Sequence, residues 1–380
     1  MFSDNYARFD IEIKDALAQA TPPSVQEVYE ILEKSKHAPI SFEDVARLLE
    51  MGEYKDTKHQ FDIIRKFTYA EFRGNGNTLK NIAPIYLSSR CIDKCGYCNY
   101  SSERKDVERT RLNVQQLKEE MKYVLSEGNK VVEFTLASDP FFTHEKLAQY
   151  ISLSKEILGN ENGSGILLCS DYMEDYELLK QAGLWGMVQW DETLDLEMFE
   201  KWHKNSPRKS NFKERIDNHD RAIQAGLQVA TGCLFGLSDY RYDTLMQIAK
   251  ARYLGEEYGV KPFVFGTPRL KSIAGQAVES ENLVNDRQYE LALMVYKIAE
   301  PKIARWLQTR ETLEMNLRNI VAGDVYTYKC GDVKPGGYKV NVHSVSSCKG
   351  GQFGVNELAK EQFESELSAI GFKVNYAWLA

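Results

Sequence analysis

Long apolar runs are missing from this sequence: no stretch approaches the ~18 residues that a membrane-spanning helix needs, so no membrane partner is expected. A surplus of positive charge is missing as well. The 48 Lys and Arg are outnumbered by 55 Asp and Glu, for a formal net charge of −7, which argues against a protein that holds nucleic acid mainly through its phosphates. Low-complexity tracts, repeats of fixed period and long linkers are absent too, so neither extensive disorder nor a solenoid is expected. The opening residues, MFSDNYARFDIEIKDALAQA, lack the charged-then-apolar layout of a secretory leader. The expected compartment is the cytoplasm. Cysteine is too sparse and unevenly placed for a disulfide scaffold: there are seven, an odd number, in 380 residues.

What is present is ordinary for a globular protein with a sizeable core, 43% hydrophobic and 27% charged. Residues 1–80 read as a helical extension. Val25–Lys34 and Phe42–Leu49 place apolar residues at three- and four-residue spacing, behind Ser24 and Ser41 as N-caps. A turn cluster follows at 74–77. From Ala83 short apolar runs alternate with helical patterns: APIYLS, VVEFTLA, GILLCS, WGMVQW, QVATGCLFG, FVFG and ARWLQT are separated by helices near 114–127, 144–158, 174–183, 241–258 and 286–299, with two helical patterns between 190 and 225. Runs apolar throughout suit strands covered on both faces. The expected fold is α/β, a (βα)8 TIM-type barrel over 81–330, with 331–380 closing the barrel or lidding its mouth.

The sharpest local feature is Cys91-Ile-Asp-Lys-Cys95-Gly-Tyr-Cys98, directly after the first barrel strand and so at the end where barrel enzymes keep their active sites. Three thiolates on one short loop suit three irons of a [4Fe–4S] cubane, leaving the fourth iron open to chelate S-adenosylmethionine. The competing reading is a structural zinc site, which takes four Cys or His ligands; no histidine lies near in sequence. Cys330 and Cys348 form a C-x₁₇-C pair without nearby partners and are read as ordinary thiols rather than a second cluster. Cys169 and Cys233 fall within apolar runs and are read as core residues.

With these residues in view, the sequence resembles radical S-adenosylmethionine enzymes of the aromatic amino-acid lyase branch: 2-iminoacetate synthase, the tyrosine lyase of [FeFe]-hydrogenase maturation and the tryptophan-processing indolic acid synthase. The likeness runs from about residue 25 to 375. It is carried by IAPIYLSSRCIDKCGYCNYS at 82–101, DETL at 191–194, GCLFGLSDYRYDTL at 232–245, TPRLK at 267–271, TRE at 309–311 and PGGY at 335–338. The resemblance implies a 5′-deoxyadenosyl radical that takes hydrogen from an amino-acid substrate and breaks a carbon–carbon bond to its side chain, with tyrosine first and tryptophan next. It also implies a flavodoxin- or ferredoxin-type electron donor.

Residue by residue, the resemblance places Cys91, Cys95 and Cys98 on the cluster and Tyr97 near the adenine. It places Arg310 on the substrate carboxylate, a job suited to a guanidinium fork. Glu192 would meet the ribose hydroxyls or an amino group, and Arg269 would touch S-adenosylmethionine. For Glu192 and Arg269 a structural ion pair is the alternative. The departures lie at pocket positions: Ala137-Ser138-Asp139-Pro140 stands where the hydrogenase-maturation relative has GEDP, so Ser138 offers a hydrogen bond without charge. DETL replaces QETY, which removes a pocket tyrosine. Two other outcomes stay open: a radical carbon shift like that yielding methylornithine, and a cluster scaffold without turnover.

Overall fold

The computed structural model describes residues 1–74, 77–170, 175–271, 278–340 and 351–379. Cys348 and residues 75–76 of the turn cluster lie outside them. The protein opens with helices α1 (Phe2–Gln19), α2 (Val25–Ser35), α3 (Phe42–Glu50) and α4 (Lys58–Phe72). Ser24 and Ser41 do cap: their hydroxyls accept from the amides of Glu27 and Asp44, and Glu27 returns the bond to the Ser24 amide, closing a capping box. α1 and α3 lay their apolar faces on the outer helices of the barrel, where Phe2 meets Tyr253 at 5.5 Å.

The barrel strands are β1 (Thr78–Asn81), β2 (Ala83–Ser88), β3 (Val131–Leu136), β4 (Gly165–Cys169), β5 (Leu184–Glu192), β6 (Gln228–Cys233), β7 (Val264–Gly266), β8 (Ala304–Leu307) and β9 (Val325–Tyr326). Between them run α5 (Val114–Ser126), α6 (His144–Leu158), α7 (Tyr176–Gln181), α8 (Leu196–Trp202), α9 (Phe212–Ile216), α10 (Asn218–Gln224), α11 (Tyr240–Tyr258), α12 (Asp286–Ala299) and α13 (Leu313–Asn319). A last helix, α14 (Lys360–Ala369), and a last strand, β10 (Lys373–Asn375), follow.

All pairings are parallel, running from β2 through β3 and onward to β9. β9 then pairs with β1, Lys80 opposite Val325, and β1 continues into β2 across the single residue Ile82. The ring thereby returns to its start, a TIM-type arrangement as the alternation predicts. β10 adds outside β1, Thr78 opposite Lys373. The period of two sorts the side chains. Ile82, Val131, Leu167 and Val188, with Ala230, Val264, Ala304 and Val325, form one interior cluster drawn from every strand of the ring. Their neighbours Ala83, Val132, Ile166 and Met187 face the helices.

This interior layer plugs the amino-terminal end of the barrel, and the tail of the protein seals it. Leu379 joins the cluster, its amide donates to Gly163 O at 3.0 Å, and the Trp378 indole donates to Asn81 O at 2.9 Å. The open end is thus the carboxyl-terminal one. Five features have no counterpart in the sequence reading: β1 within the sheet, the two-residue β9, three rather than two short helices after β5, the helix α13, and β10. Among the described residues no helix is long and apolar enough to cross a membrane.

Candidate functional site

The loop that leaves β2 carries the three clustered thiols, and backbone bonds fix it on several sides. The Ile92 amide donates to Ser138 O at 3.0 Å and the Gly96 amide to Trp202 O at 3.2 Å. The Lys94 amide donates to the Ser206 hydroxyl at 2.9 Å. Buried Asp93 accepts at Oδ1 from the amides of Arg208 and Lys209 at 2.8 and 3.1 Å. Arg109 gathers four carbonyls, those of Ser89, Tyr100, Ser101 and Arg104, at 2.7–3.0 Å. A short polar loop that must hold three sulfurs facing one way is stabilised here by a guanidinium fork rather than by a ladder.

Cys91, Cys95 and Cys98 all border one cavity at the open end of the barrel. Burial pushes the Cys98 thiol above its ordinary value, against the pull of Lys209 and of the Tyr100 amide, which reaches the sulfur at 3.4 Å. Among the described residues no three His, Cys, Asp or Glu side chains converge as the ligands of a single ion. Three thiols spread along the wall of one cavity, with the Arg109 guanidinium in electrostatic reach of Cys91 and Cys98, fit an anionic cluster that takes one thiolate per iron.

Tyr97 lies on the same wall. His203 gives its Nδ1 proton to Phe199 O at 2.8 Å, so Nε2 accepts from the Tyr97 hydroxyl at 2.9 Å and fixes the ring. Burial keeps that imidazole neutral, with a pKa lowered to about 4. Glu192, at the end of β5, has φ +69°, a left-handed backbone that a glutamate adopts at a cost. Burial alone would raise its pKa, but Lys209 and Arg215 outweigh burial and hold it below the ordinary value. Lys209 Nζ sits 2.7 Å and Arg215 Nη2 3.3 Å from Oε1.

Arg310 borders the cavity too, with its guanidinium stacked 3.6 Å from the centre of the Phe353 ring. Its Nε is a buried donor without a partner, and among the described residues no carboxylate pairs with it. Burial lowers its pKa. A guanidinium held out of water with an unpaired donor is an anion site in waiting. The strip 351–353 lies over this region: Asn99 donates to Gly351 O at 2.6 Å, and Gln352 accepts from Tyr86 at 3.1 Å.

The structure therefore brings Cys91, Cys95, Cys98, Tyr97, Ser138, Glu192 and Arg310 to one cavity. Asp139 and Arg269 stand outside that lining. Asp139 takes Arg111 in a two-pronged pair at 2.6 and 2.7 Å and the Ser88 hydroxyl at 2.6 Å, holding β2 and β3 ends together. Arg269 spends its donors on Glu311, Asp286 and Val284 O at 2.6–3.0 Å, so the ion-pair alternative describes its surroundings. Cys233 is fully buried, whereas Cys169 is half-buried and both packs against the interior cluster and borders the cavity, because the strand period turns position 169 inward. Cys330, on the facing side, borders it as well. Sequence reasoning missed Lys209, Arg215, Arg109 and Glu133. Only Glu133 left a signal, a lone carboxylate inside the apolar run VVEFTLA.

Comparison with known proteins agrees with this geometry. Residues 85–251 match the Radical SAM superfamily. The protein is 26% identical over 277 residues to 2-iminoacetate synthase of Escherichia coli (strain K12), a match covering 70% of each of the two. It is 25% identical over 202 residues to 3-methylornithine synthase of Methanosarcina acetivorans, covering 53% of this protein and 55% of that one. The crystal structure of HydG, a maturase of the [FeFe]-hydrogenase, superposes with a TM-score of 0.84 at 25% identity, covering 97% of this protein and 80% of that one.

Proposed function

We propose that this protein, whose residues 85–251 match the Radical SAM superfamily, is a radical S-adenosylmethionine lyase that takes hydrogen from an amino acid, tyrosine first and tryptophan next, and breaks a carbon–carbon bond to its side chain. The observation that carries the substrate class is Arg310, an unpaired guanidinium in the cavity that also holds the three thiols. Its planar fork matches an α-carboxylate. The likeness to 2-iminoacetate synthase supports the lyase outcome.

In this reading Cys91, Cys95 and Cys98 hold the [4Fe–4S] cluster, and Tyr97, Ser138 and Glu192 border the S-adenosylmethionine beside it. Together the bound cluster and cofactor supply the 5′-deoxyadenosyl radical. The protein's own part is positioning. Glu192, kept ionised by Lys209 and Arg215, offers acceptors to hydroxyl or ammonium groups. Asp139 and Arg269 act from behind the wall, by fixing strand ends. The strip 351–353 limits water at the mouth, which protects a radical reaction. A single-electron donor of the flavodoxin or ferredoxin type is the partner this chemistry needs. Thiols that bind iron favour a reducing, cytoplasmic setting.

The likeness to 3-methylornithine synthase favours a second outcome, a carbon shift on an amino-acid skeleton. Anaerobic reconstitution and reduction, followed by S-adenosylmethionine with each amino acid in turn, separates the two. Tyrosine-dependent release of 5′-deoxyadenosine with p-cresol supports the lyase. An isomeric amino acid as product supports the shift, and deoxyadenosine release that no amino acid stimulates removes the substrate class.

A further inference from the structure

Glu133 takes no part in holding the cluster or in meeting a carboxylate. It stands two residues along β3 from Val131 of the interior plug, so the strand period aims it into the barrel, and it borders the cavity with 5% of its surface exposed. The Thr135 hydroxyl donates to its Oε1 at 3.2 Å, and the Cys169 thiol hydrogen-bonds to it. Among the described residues no cation pairs with it. An apolar residue at this position would pack without the cost of burying an acid, so the fold holds a carboxyl group here against its own stability. Burial raises its pKa to about 7.

Two indoles share its layer, Trp190 and Trp306 standing two residues past Val188 and Ala304 of the plug. Trp190 and Trp306 meet edge to face, 5.5 Å between centres at 80°, and both border the cavity. The Trp306 N–H is taken by the Thr327 hydroxyl at 3.1 Å. Trp190 lies across two glycines: a Cβ on Gly266 would stand 2.2 Å from its ring, and one on Gly232 2.5 Å. The cavity floor, one side-chain layer above the plug, is therefore an aromatic platform with one acidic acceptor, whereas Arg310 follows Trp306 by four residues, past the end of β8.

We propose that Glu133 receives the far end of the substrate's side chain, and that this end bears a hydrogen-bond donor, N–H or O–H, resting on Trp190 and Trp306. The inference rests on the reading that Arg310 holds an amino acid by its carboxylate. It adds what that reading leaves open, the chemistry of the far tip of the substrate. Phenol, indole and ammonium groups share this donor chemistry, and an ammonium also gains from the aromatic faces. A substrate ending in carbon leaves the acid unpaired and is rejected, as sites built around a substrate donor reject the analogue lacking it.

The test uses the reconstituted holoenzyme with S-adenosylmethionine and three shape-matched pairs: tyrosine and phenylalanine, tryptophan and naphthylalanine, lysine and norleucine. Binding is read by quenching of tryptophan fluorescence, and coupling by 5′-deoxyadenosine release. The donor-bearing member of one pair binds roughly ten- to hundred-fold more tightly than its partner, and which pair responds identifies the donor. Glu133→Met removes that preference, whereas Glu133→Gln, which keeps a carbonyl acceptor, retains part of it. Equal binding within every pair overturns the proposal, as does a Glu133→Met enzyme that keeps the preference. In both those cases Arg310→Gln still weakens binding, so the amino-acid reading survives. If no amino acid binds and Arg310→Gln changes nothing, that reading falls and this inference with it.

Discussion

Replacing Arg310 with glutamine separates a binding arginine from a structural one, because the two kinds respond with opposite signs. Before substrate binds, the Arg310 Nε is buried and, among the described residues, lacks a partner, while the guanidinium stacks on the Phe353 ring. An unsatisfied buried donor costs about 1–3 kcal/mol, and the stacking contact returns about 0.5–1 kcal/mol. Removing the charge therefore leaves the free protein as stable as before or slightly more stable, a melting temperature unchanged or raised by about a degree or two. In the complex the same group faces a carboxylate, and deleting one partner of a buried charged pair costs about 2–5 kcal/mol, at least roughly thirty-fold in affinity. The assay is a pair of melting curves for each protein, with and without saturating amino acid, beside a direct binding isotherm. Wild type rises with substrate and Arg310→Gln does not. If the variant melts several degrees lower without substrate and binds as wild type does, Arg310 is part of the scaffold and the substrate assignment fails.

Five residues earlier the opposite holds. Arg305 is fully buried against Asp324, with Nη2 at 2.5 Å and Nε at 3.2 Å, and Asp324→Ala strands that charge, so the urea midpoint drops by an amount equivalent to about 3–5 kcal/mol with little change in slope. Substituting Cys91, Cys95 or Cys98 singly by alanine abolishes the charge-transfer absorbance after reconstitution and all 5′-deoxyadenosine release, while far-ultraviolet dichroism stays as in wild type. Glu133 gives a pH signature: its folded pKa, raised from 4.5 to about 7, means the folded state holds the proton more tightly than the unfolded one. Stability from this group is full below the unfolded value and is lost as pH climbs toward 7, so Glu133→Gln gains on wild type over that interval by about 3 kcal/mol at most. A pH-independent difference between the two proteins would rule out a buried acid that titrates in this range.

Strand and helix positions were largely legible because parallel strands covered on both faces are apolar throughout, and the helices between them have cap residues. The His144–Leu158 helix was placed to the residue. β9 escaped because Val325–Tyr326 is too short for any period, and β1 because TLKN alternates weakly next to a turn. Of the site, that the three cysteines share one loop at the cavity was readable from their close spacing directly after the first barrel strand. Lys209 and Arg215 were not, because they reach Glu192 from helices and loops after β5, and no pattern near them records that contact. That Cys169 also borders the cavity was not legible for a related reason: an apolar run shows that a strand is buried, but not which alternate residues face a cavity and which face a helix.

The ring of strands is completed by residues far from where it begins. β1 obtains its partners only from Val325–Tyr326 and Lys373–Asn375, after most of the polypeptide between them has been made. During synthesis that edge waits with its hydrogen-bonding groups open, a state that invites mispairing. The thiol loop hangs from the same strand, on its continuation past Ile82. If the three sulfurs hold a cluster as proposed, iron can therefore reach them from the side in a nascent barrel, before the strip 351–353 is made. Once the last strands dock, the remaining way in is through the opening that the small molecules use. In the proposed function, maturation and turnover thus share the opening at the carboxyl-terminal end of the barrel, and the timing of metal delivery relative to the end of synthesis becomes part of how much loaded protein a cell obtains.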